Sequence, residues 1–281
     1  MLHSVMVPVD FSEESTLILG FATGLARLGV RRVVIGHAVD ASGMEGPIIA
    51  AKVDKVRDAM RSMAAPLTEA GMEVEIRVAT GEAVNELVAL AAETHVDAVV
   101  CGTHGKGYLT KLIARSVSEQ IALEADRPTM LIRFGLLRTK EDRAQLSRGF
   151  GTNVLLPTDF SGSATRALMA ISGLPKGALG TVYILHVLDG SLADDRLRRA
   201  REGAEFQLEN LRAIAEQAGV TARGIVRQGD AQRVILQEAN ERRVSGIVVG
   251  RRGQGPLQEA LLGSTSMTLV RQDSCPFMVV P

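Results

Sequence analysis

The residues best suited to chemistry lie between positions 247 and 266. They are Gly250-Arg251-Arg252-Gly253, then nine residues, then Gly263-Ser264-Thr265-Ser266. A β-branched run, Ile247 to Val249, stops at Gly250, so the stretch reads as a strand, a glycine loop and a helix start. The two loop glycines permit positive φ and close backbone approach. A helix opening with three hydroxyl residues offers N–H and O–H donors to a phosphate. Together these elements make a cradle for a nucleotide. The cradle binds rather than reacts. No Gly-x-x-x-x-Gly-Lys-Ser/Thr run supplies a P-loop lysine, and no carboxylate pair is placed for magnesium-assisted hydrolysis. No catalytic residue and no structural metal site are assigned.

The stretch occurs twice. Val99, Val100 and Cys101 lead into Gly102-Thr103-His104-Gly105, then nine residues, then Arg115-Ser116-Val117-Ser118, at an offset of 148. Pro8-Val9-Asp10-Phe11-Ser12 is repeated as Pro157-Thr158-Asp159-Phe160-Ser161 at an offset of 149, and His37 as His186. Pro128 matches Pro276. A near-constant offset along the whole length marks a duplication. One position breaks it, because Arg115 stands where the second copy has Gly263. An arginine there either fills the space a phosphate needs or pairs with a phosphate oxygen. The reading taken is that its volume wins.

The elements that must position these residues follow from periodicity and punctuation. In the first half, strands are expected at 4–9, 32–38, 72–78, 96–101 and 129–133, and helices at 12–28, 47–70, 82–94 and 116–125. Pro66 predicts a kink or early break in the second helix. Residues 135–152 read as a polar linker with a helical turn or two around 140–146. The second half repeats the order, with a long helix over 192–218 whose buried stripe is Leu197, Ala204, Leu208, Leu211, Ala215 and Ala218. Alternating strands and helices give an α/β fold, with a parallel five-stranded sheet in each half wound in the order 3-2-1-4-5. Ligands in such sheets bind beyond the carboxyl ends of the strands, where the order switches. The expected domains are 1–134 and 152–281.

Composition narrows the function classes. Aromatic residues make up 3% and there is no Trp, which speaks against base stacking on nucleic acid. Residues 1–150 carry 17 basic and 19 acidic side chains and the remainder 15 and 13, so neither half has the basic excess of a nucleic-acid or membrane-surface binder. Two cysteines, Cys101 and Cys275, are too few for a disulfide scaffold and read as core residues. No apolar stretch approaches a membrane span. The start enters a strand at once without a secretory pattern, so the chain reads as cytoplasmic. His37 and His186 read as core or pocket-lining side chains.

These residues resemble the universal stress protein family in its tandem form. Gly250, Gly253, Gly263 and Ser264 fit its Gly-x-x-Gly, nine residues, Gly-Ser/Thr motif. Val7 to Asp10 and Leu156 to Asp159 fit its Val/Leu-Pro-x-Asp element. The resemblance covers both halves, about 265 residues. It implies a fold like that of adenine nucleotide alpha hydrolases and a stress-response regulator or sensor that binds ATP, ADP or AMP, with Mg an option beside ATP, mainly in the second half. Asp159 would meet the ribose or adenine with Pro157 and Thr158 around it, Val187 would pack on the base, and Gly250, Arg252 and Gly253 would follow the ribose and phosphates. Gly263, Ser264, Thr265 and Ser266 would donate to the phosphates. The first half supplies Pro8, Val9, Asp10, Ala38, Gly102, His104, Gly105, Ser116, Val117 and Ser118 at the same places, with Arg115 the departure. The resemblance also implies that the halves pair through their last strands as an internal pseudo-dimer, leaving room for a homodimer. The alternatives are a slow ATPase or phosphoryl-transfer enzyme, and a flavin-binding or adenylating relative.

Overall fold

The computed structural model describes residues 2–103, 116–252 and 275–281, and the chain divides into two units, Met1–Arg148 and Gly149–Pro281. In the first unit the strands are β1 (Ser4–Pro8), β2 (Arg32–Val39), β3 (Glu73–Thr80), β4 (Ala98–Thr103) and β5 (Thr129–Arg133). They run parallel in the order β3-β2-β1-β4-β5. The connecting helices are α1 (Glu13–Ala22), α2 (Gly46–Glu69), α3 (Ala83–Glu93) and α4 (Val117–Glu124), and α5 (Lys140–Gly149) leads to the unit boundary.

The second unit repeats the pattern. Its elements are β6 (Asn153–Pro157), α6 (Gly162–Ser172), β7 (Thr181–Leu188), α7 (Asp194–Gln217), β8 (Thr221–Gln228), α8 (Ala231–Glu241), β9 (Gly246–Gly250) and β10 (Phe277–Val280). The order β8-β7-β6-β9-β10 is again parallel throughout. Both units therefore have the predicted winding. Helices cover both faces of such a sheet, so its central strands are apolar runs rather than alternating ones. Val5, Met6 and Val7 of β1 and Val154, Leu155 and Leu156 of β6 are all fully buried.

Several local expectations are corrected. α2 is not broken at Pro66 but continues to Glu69. Pro66 forfeits the bond to the Ser62 carbonyl, but only three helical residues follow it, and Met60, Ala64 and Leu67 bury the face on either side of it. The first helix is α only to Ala22 and tightens into a 3-10 turn, Thr23–Leu28, before Gly29. In α7 the stripe holds at Ala204, Leu208, Leu211 and Ala215. Ala218 is exposed and Leu197 only half-buried, because both lie near or beyond the ends of the helix. Gly71 and Gly219 end the α2 and α7 segments in the left-handed region, at φ 76° and 81°, where a Cβ would be strained.

The segment read as a linker is built into the first unit. Thr139 and Asp142 exchange backbone-to-side-chain bonds of 3.0 Å each, a capping box that starts α5. Arg143 donates to the Leu137 carbonyl at 2.8 Å, and Leu137 is fully buried. A Cβ on Gly24 would lie 1.9 Å from the Ser147 hydroxyl, so the 3-10 turn and α5 touch without an intervening side chain. Phe150, just past the boundary, is buried against Gly246 of the second unit. Among the described residues no helix is long and apolar enough to cross a membrane.

Candidate functional site

In both units the chain leaves the first strand through a turn built on Asp-Phe-Ser. Ser12 caps α1 by accepting from the Ser15 N–H, and Ser161 caps α6 by accepting from the Ala164 N–H. The aspartate just before does not cap the helix; it ties the turn. Asp10 accepts from the Ser12 N–H at 3.0 Å and from the hydroxyls of Ser12 and Ser15. The Asp10 N–H donates back to Ser15 at 3.0 Å. Burial works to raise the Asp10 pKa, but the donors Ser12 and Ser15 outweigh it and hold the carboxyl below its ordinary value. Asp159 accepts from the Ser161 N–H at 3.0 Å. Ala164 stands where the first unit has Ser15, so the ring-closing hydroxyl is missing there.

Between aspartate and serine lies a phenylalanine in the left-handed region, Phe11 at φ 64° and Phe160 at φ 62°. A bulky residue there stores about 1–3 kcal/mol of strain. Each ring rests on a histidine from the second strand. Phe11 meets His37 edge-on at 4.8 Å, and Phe160 stacks on His186 at 4.4 Å. Each histidine donates from Nδ1 to the carbonyl after the first strand, Val9 at 2.7 Å and Thr158 at 2.8 Å, since a carbonyl can only accept. The histidines thus position the turn. The sequence signal for this was visible: in a chain with seven Phe, one follows the aspartate in both copies.

In the first unit the expected residues converge on a cavity of about 170 Å³ at the switch between β1 and β4. Pro8, Val9, Asp10, Ala38, Gly102, Val117 and Ser118 all line it. The Ser118 hydroxyl donates to the Gly102 carbonyl at 2.6 Å, tying α4 to the end of β4. Ser116 instead caps α4, accepting from the Glu119 N–H at 3.2 Å, and is not among the lining residues. Sequence reasoning missed Phe134, which follows β5 and also lines the cavity. A Cβ on Gly102 would lie 2.0 Å from the Phe134 ring. Cys101 lies in the wall, and burial pushes its thiol up to about 12, so it is no nucleophile at neutral pH. His104, Gly105 and Arg115 lie outside the described residues.

In the second unit Pro157, Thr158 and Asp159 leave β6 beside Gly250 at the end of β9. Thr158 donates its N–H to Leu185 at 2.8 Å, and its hydroxyl accepts from Phe160 at 3.0 Å. The Arg252 N–H donates to the Ser163 hydroxyl at 3.3 Å, and Ser161 donates to the Arg252 carbonyl at 3.4 Å. The aspartate turn and the glycine loop are therefore joined. Val187 lies near the end of β7, paired with Arg227 of β8. A Cβ on Gly250 would fall 2.5 Å from the Ser163 hydroxyl and 2.8 Å from the Ala164 nitrogen. Close approach at Gly102 and Gly250 is thus already required by protein packing, so these glycines alone do not demand a ligand. Gly253, Gly263, Ser264, Thr265 and Ser266 lie outside the described residues.

Comparison with known proteins bears on both units. A family model described as "Universal stress protein family" matches residues 1–133 and again 152–281. The universal stress protein YxiE of Bacillus subtilis (strain 168) is 33% identical over 144 residues, covering 45% of this chain and 97% of its own. A universal stress protein from Archaeoglobus fulgidus DSM 4304 has a solved structure similar along the full length. Its TM-score is 0.73 at 20% identity, and the match covers 100% of this chain and 96% of that one. A Pseudomonas aeruginosa UCBPP-PA14 structure gives a TM-score of 0.65 at 16% identity, covering 99% of this chain and 93% of that one. These structures support the fold.

Proposed function

Because both halves of the chain belong to the universal stress protein family, we propose that the protein is a nucleotide-holding regulator. It takes ATP, ADP or AMP chiefly in the second unit, with Mg accompanying ATP, and does not turn it over. The observation that carries this reading is the convergence of the sequence-derived set on the β1–β4 switch of the first unit, where seven of its members line one cavity. The second unit carries the same aspartate turn and glycine-ended strand at its own switch, together with the complete glycine and hydroxyl motif.

The preference for the second unit rests on two features of the first. Arg115 replaces the glycine of the phosphate end. Phe134 lies against Gly102 and narrows the cavity at that strand end. In this reading Asp159 holds the ribose, Val187 packs on the base, and the N–H and O–H groups of Gly263 to Ser266 hold the phosphates.

Calorimetric titration of the purified chain with ATP and Mg tests it. About one site per chain is expected, and Gly263→Arg should weaken that site at least tenfold, because a side chain then stands between backbone and phosphate. Arg115→Gly should restore ATP binding in the first unit. Two equally tight sites in the wild type would contradict the asymmetry. Steady phosphate release would favour the ATPase reading, and flavin released on boiling would favour the flavoprotein one.

A further inference from the structure

A second concave region lies in the second unit, away from the β6–β9 switch. It is an open groove of about 590 Å³ astride β8, the outer strand of that unit's sheet. Its lining alternates with the strand. Gly224 faces α7, since a Cβ there would lie 3.1 Å from Leu208. Arg227 faces α8, where it bonds Glu238. Residues of one parity therefore share a face, and Arg223, Ile225 and Arg227 lie on the α8 side. Tyr183 is the β7 partner of Arg223, and Arg242 lies over the Tyr183 ring at 4.8 Å. On the other side α7 contributes Arg201 and Arg212 around Leu208.

The arginines are held in different ways. Glu238 is 3% exposed and takes Arg227 at 2.5 Å and Arg242 at 2.8 Å, so one buried carboxylate fixes two guanidiniums and leaves a net positive charge. Arg212 is taken by Glu209 and Glu216. Glu205 and Glu209 also line the groove. The side chains of Arg201 and Arg223 make no hydrogen bond or ion pair with the described residues.

The duplication supplies an internal control. At an offset of 148 the first unit has Glu75 for Arg223, Ala79 for Arg227, Leu90 for Glu238 and Thr94 for Arg242. The first unit's outer strand β3 has a cluster of its own, in which Glu75 takes Arg32 and Arg77, so what the second unit adds is an arginine at 223 in place of that carboxylate, with Arg227 and Arg242 beyond it. Edge strands are often protected by one outward charge. That role does not need an arginine without an acidic partner at 223, nor a groove on both faces.

We propose that the outer edge of β8 receives an extended acidic segment of a partner polypeptide as an added strand. Its backbone pairs with the outer row of β8, and carboxylates on one face meet Arg223 and the Arg227–Arg242 pair. Arg223 and Arg227 are four residues apart, about 13 Å along a strand. That span suits an extended chain rather than a single phosphate group. The proposal is independent of nucleotide binding.

Fluorescence anisotropy with the full chain and a labelled synthetic octapeptide of alternating Glu and Val tests it. Saturable binding is expected at low salt, and none with alternating Lys and Val. The exposed substitution Arg223→Glu should weaken binding about tenfold, and N-methylation of alternate backbone amides of the peptide should abolish it. No saturation at millimolar protein would overturn the proposal. So would equal affinity for the N-methylated peptide, which would reduce the effect to surface charge, or an unchanged affinity in Arg223→Glu.

Discussion

The two units wind their sheets in the same order and turn on the same Asp-Phe-Ser, yet they fill the space around the shared glycine differently. In the first, Phe134 and Ile18 occupy the volume a Cβ on Gly102 would need. In the second, the first turn of α6 does so at Gly250, through Ser163 and Ala164. A side chain from the turn after β5 can swing aside. The backbone of a helix start cannot. The repeat has kept the strand end and changed what leans on it, so one site has a movable wall and the other a fixed one.

The largest expected difference between the halves lies under the second sheet. Phe150 is 1% exposed and packs on Gly246; the first unit has Ala98 in place of that glycine, and its buried residue ahead of β1 is Leu2. Phe150→Ala should destabilise the second unit by about 3–5 kcal/mol, and Leu2→Ala the first by about 2–3 kcal/mol, the ordinary ranges for emptying such sites. Hydrogen exchange read by mass spectrometry assigns each loss to its unit. Equal losses in both units from Phe150→Ala would mean that the two do not open independently.

A smaller effect bears directly on the glycines. Gly250→Ala should cost about 2–3 kcal/mol, because the new methyl meets α6 backbone, and Gly102→Ala about 1 kcal/mol, because the Phe134 ring yields. Denaturant titration of both variants ranks them. The reverse order would show that the wall at Phe134 is the rigid one.

The smallest effect is in acid. A depressed carboxyl pKa contributes stability above the unfolded value, and that contribution is lost as pH falls through the folded value. Asp10 is depressed from about 3.8 by Ser12 and Ser15 despite the opposing effect of burial. The first unit should therefore lose this contribution only below about pH 4. Ser15→Ala, which copies Ala164 of the second unit, should move the loss to higher pH, and Asp10→Asn should remove it. Unfolding midpoints measured from pH 2 to 6 would show the displacement, and a Ser15→Ala profile identical to wild type would contradict the role given to Ser15.

Much of this arrangement is legible in the residues because it is periodic or duplicated. Winding order, the strand ends at Pro8 and Pro157, and the gathering of Asp10, Ala38, Gly102 and Ser118 all follow from the alternation of elements and the constant offset. What escapes depends on contacts distant in sequence. Phe134 belongs to no motif, and nothing local says that it will stand on Gly102. The docking of α5 depends on a dent at Gly24 more than a hundred residues earlier, although Thr139 and Asp142 announce the helix itself. Phe11 in the left-handed region defies its own propensity and is held there by His37. The proline in α2 misleads because the cost of a proline depends on its distance from the helix end, which sequence places only within a few residues.

The Ser147–Gly24 contact also says where the duplication can be cut. Counted by its repeat, the first copy stops at β5, and a gene trimmed there would look complete. Its product would lack the buried Leu137 and the α5 residues Arg143 and Ser147 that lie against Gly20 and Gly24, leaving a bare seam along α1 and the turn after it. The inherited module and the piece that must be excised together are different lengths. Anyone moving the first half into another protein should carry it through Arg148, and anyone swapping the two halves should expect α5 to fit only the surface it has been tailored to.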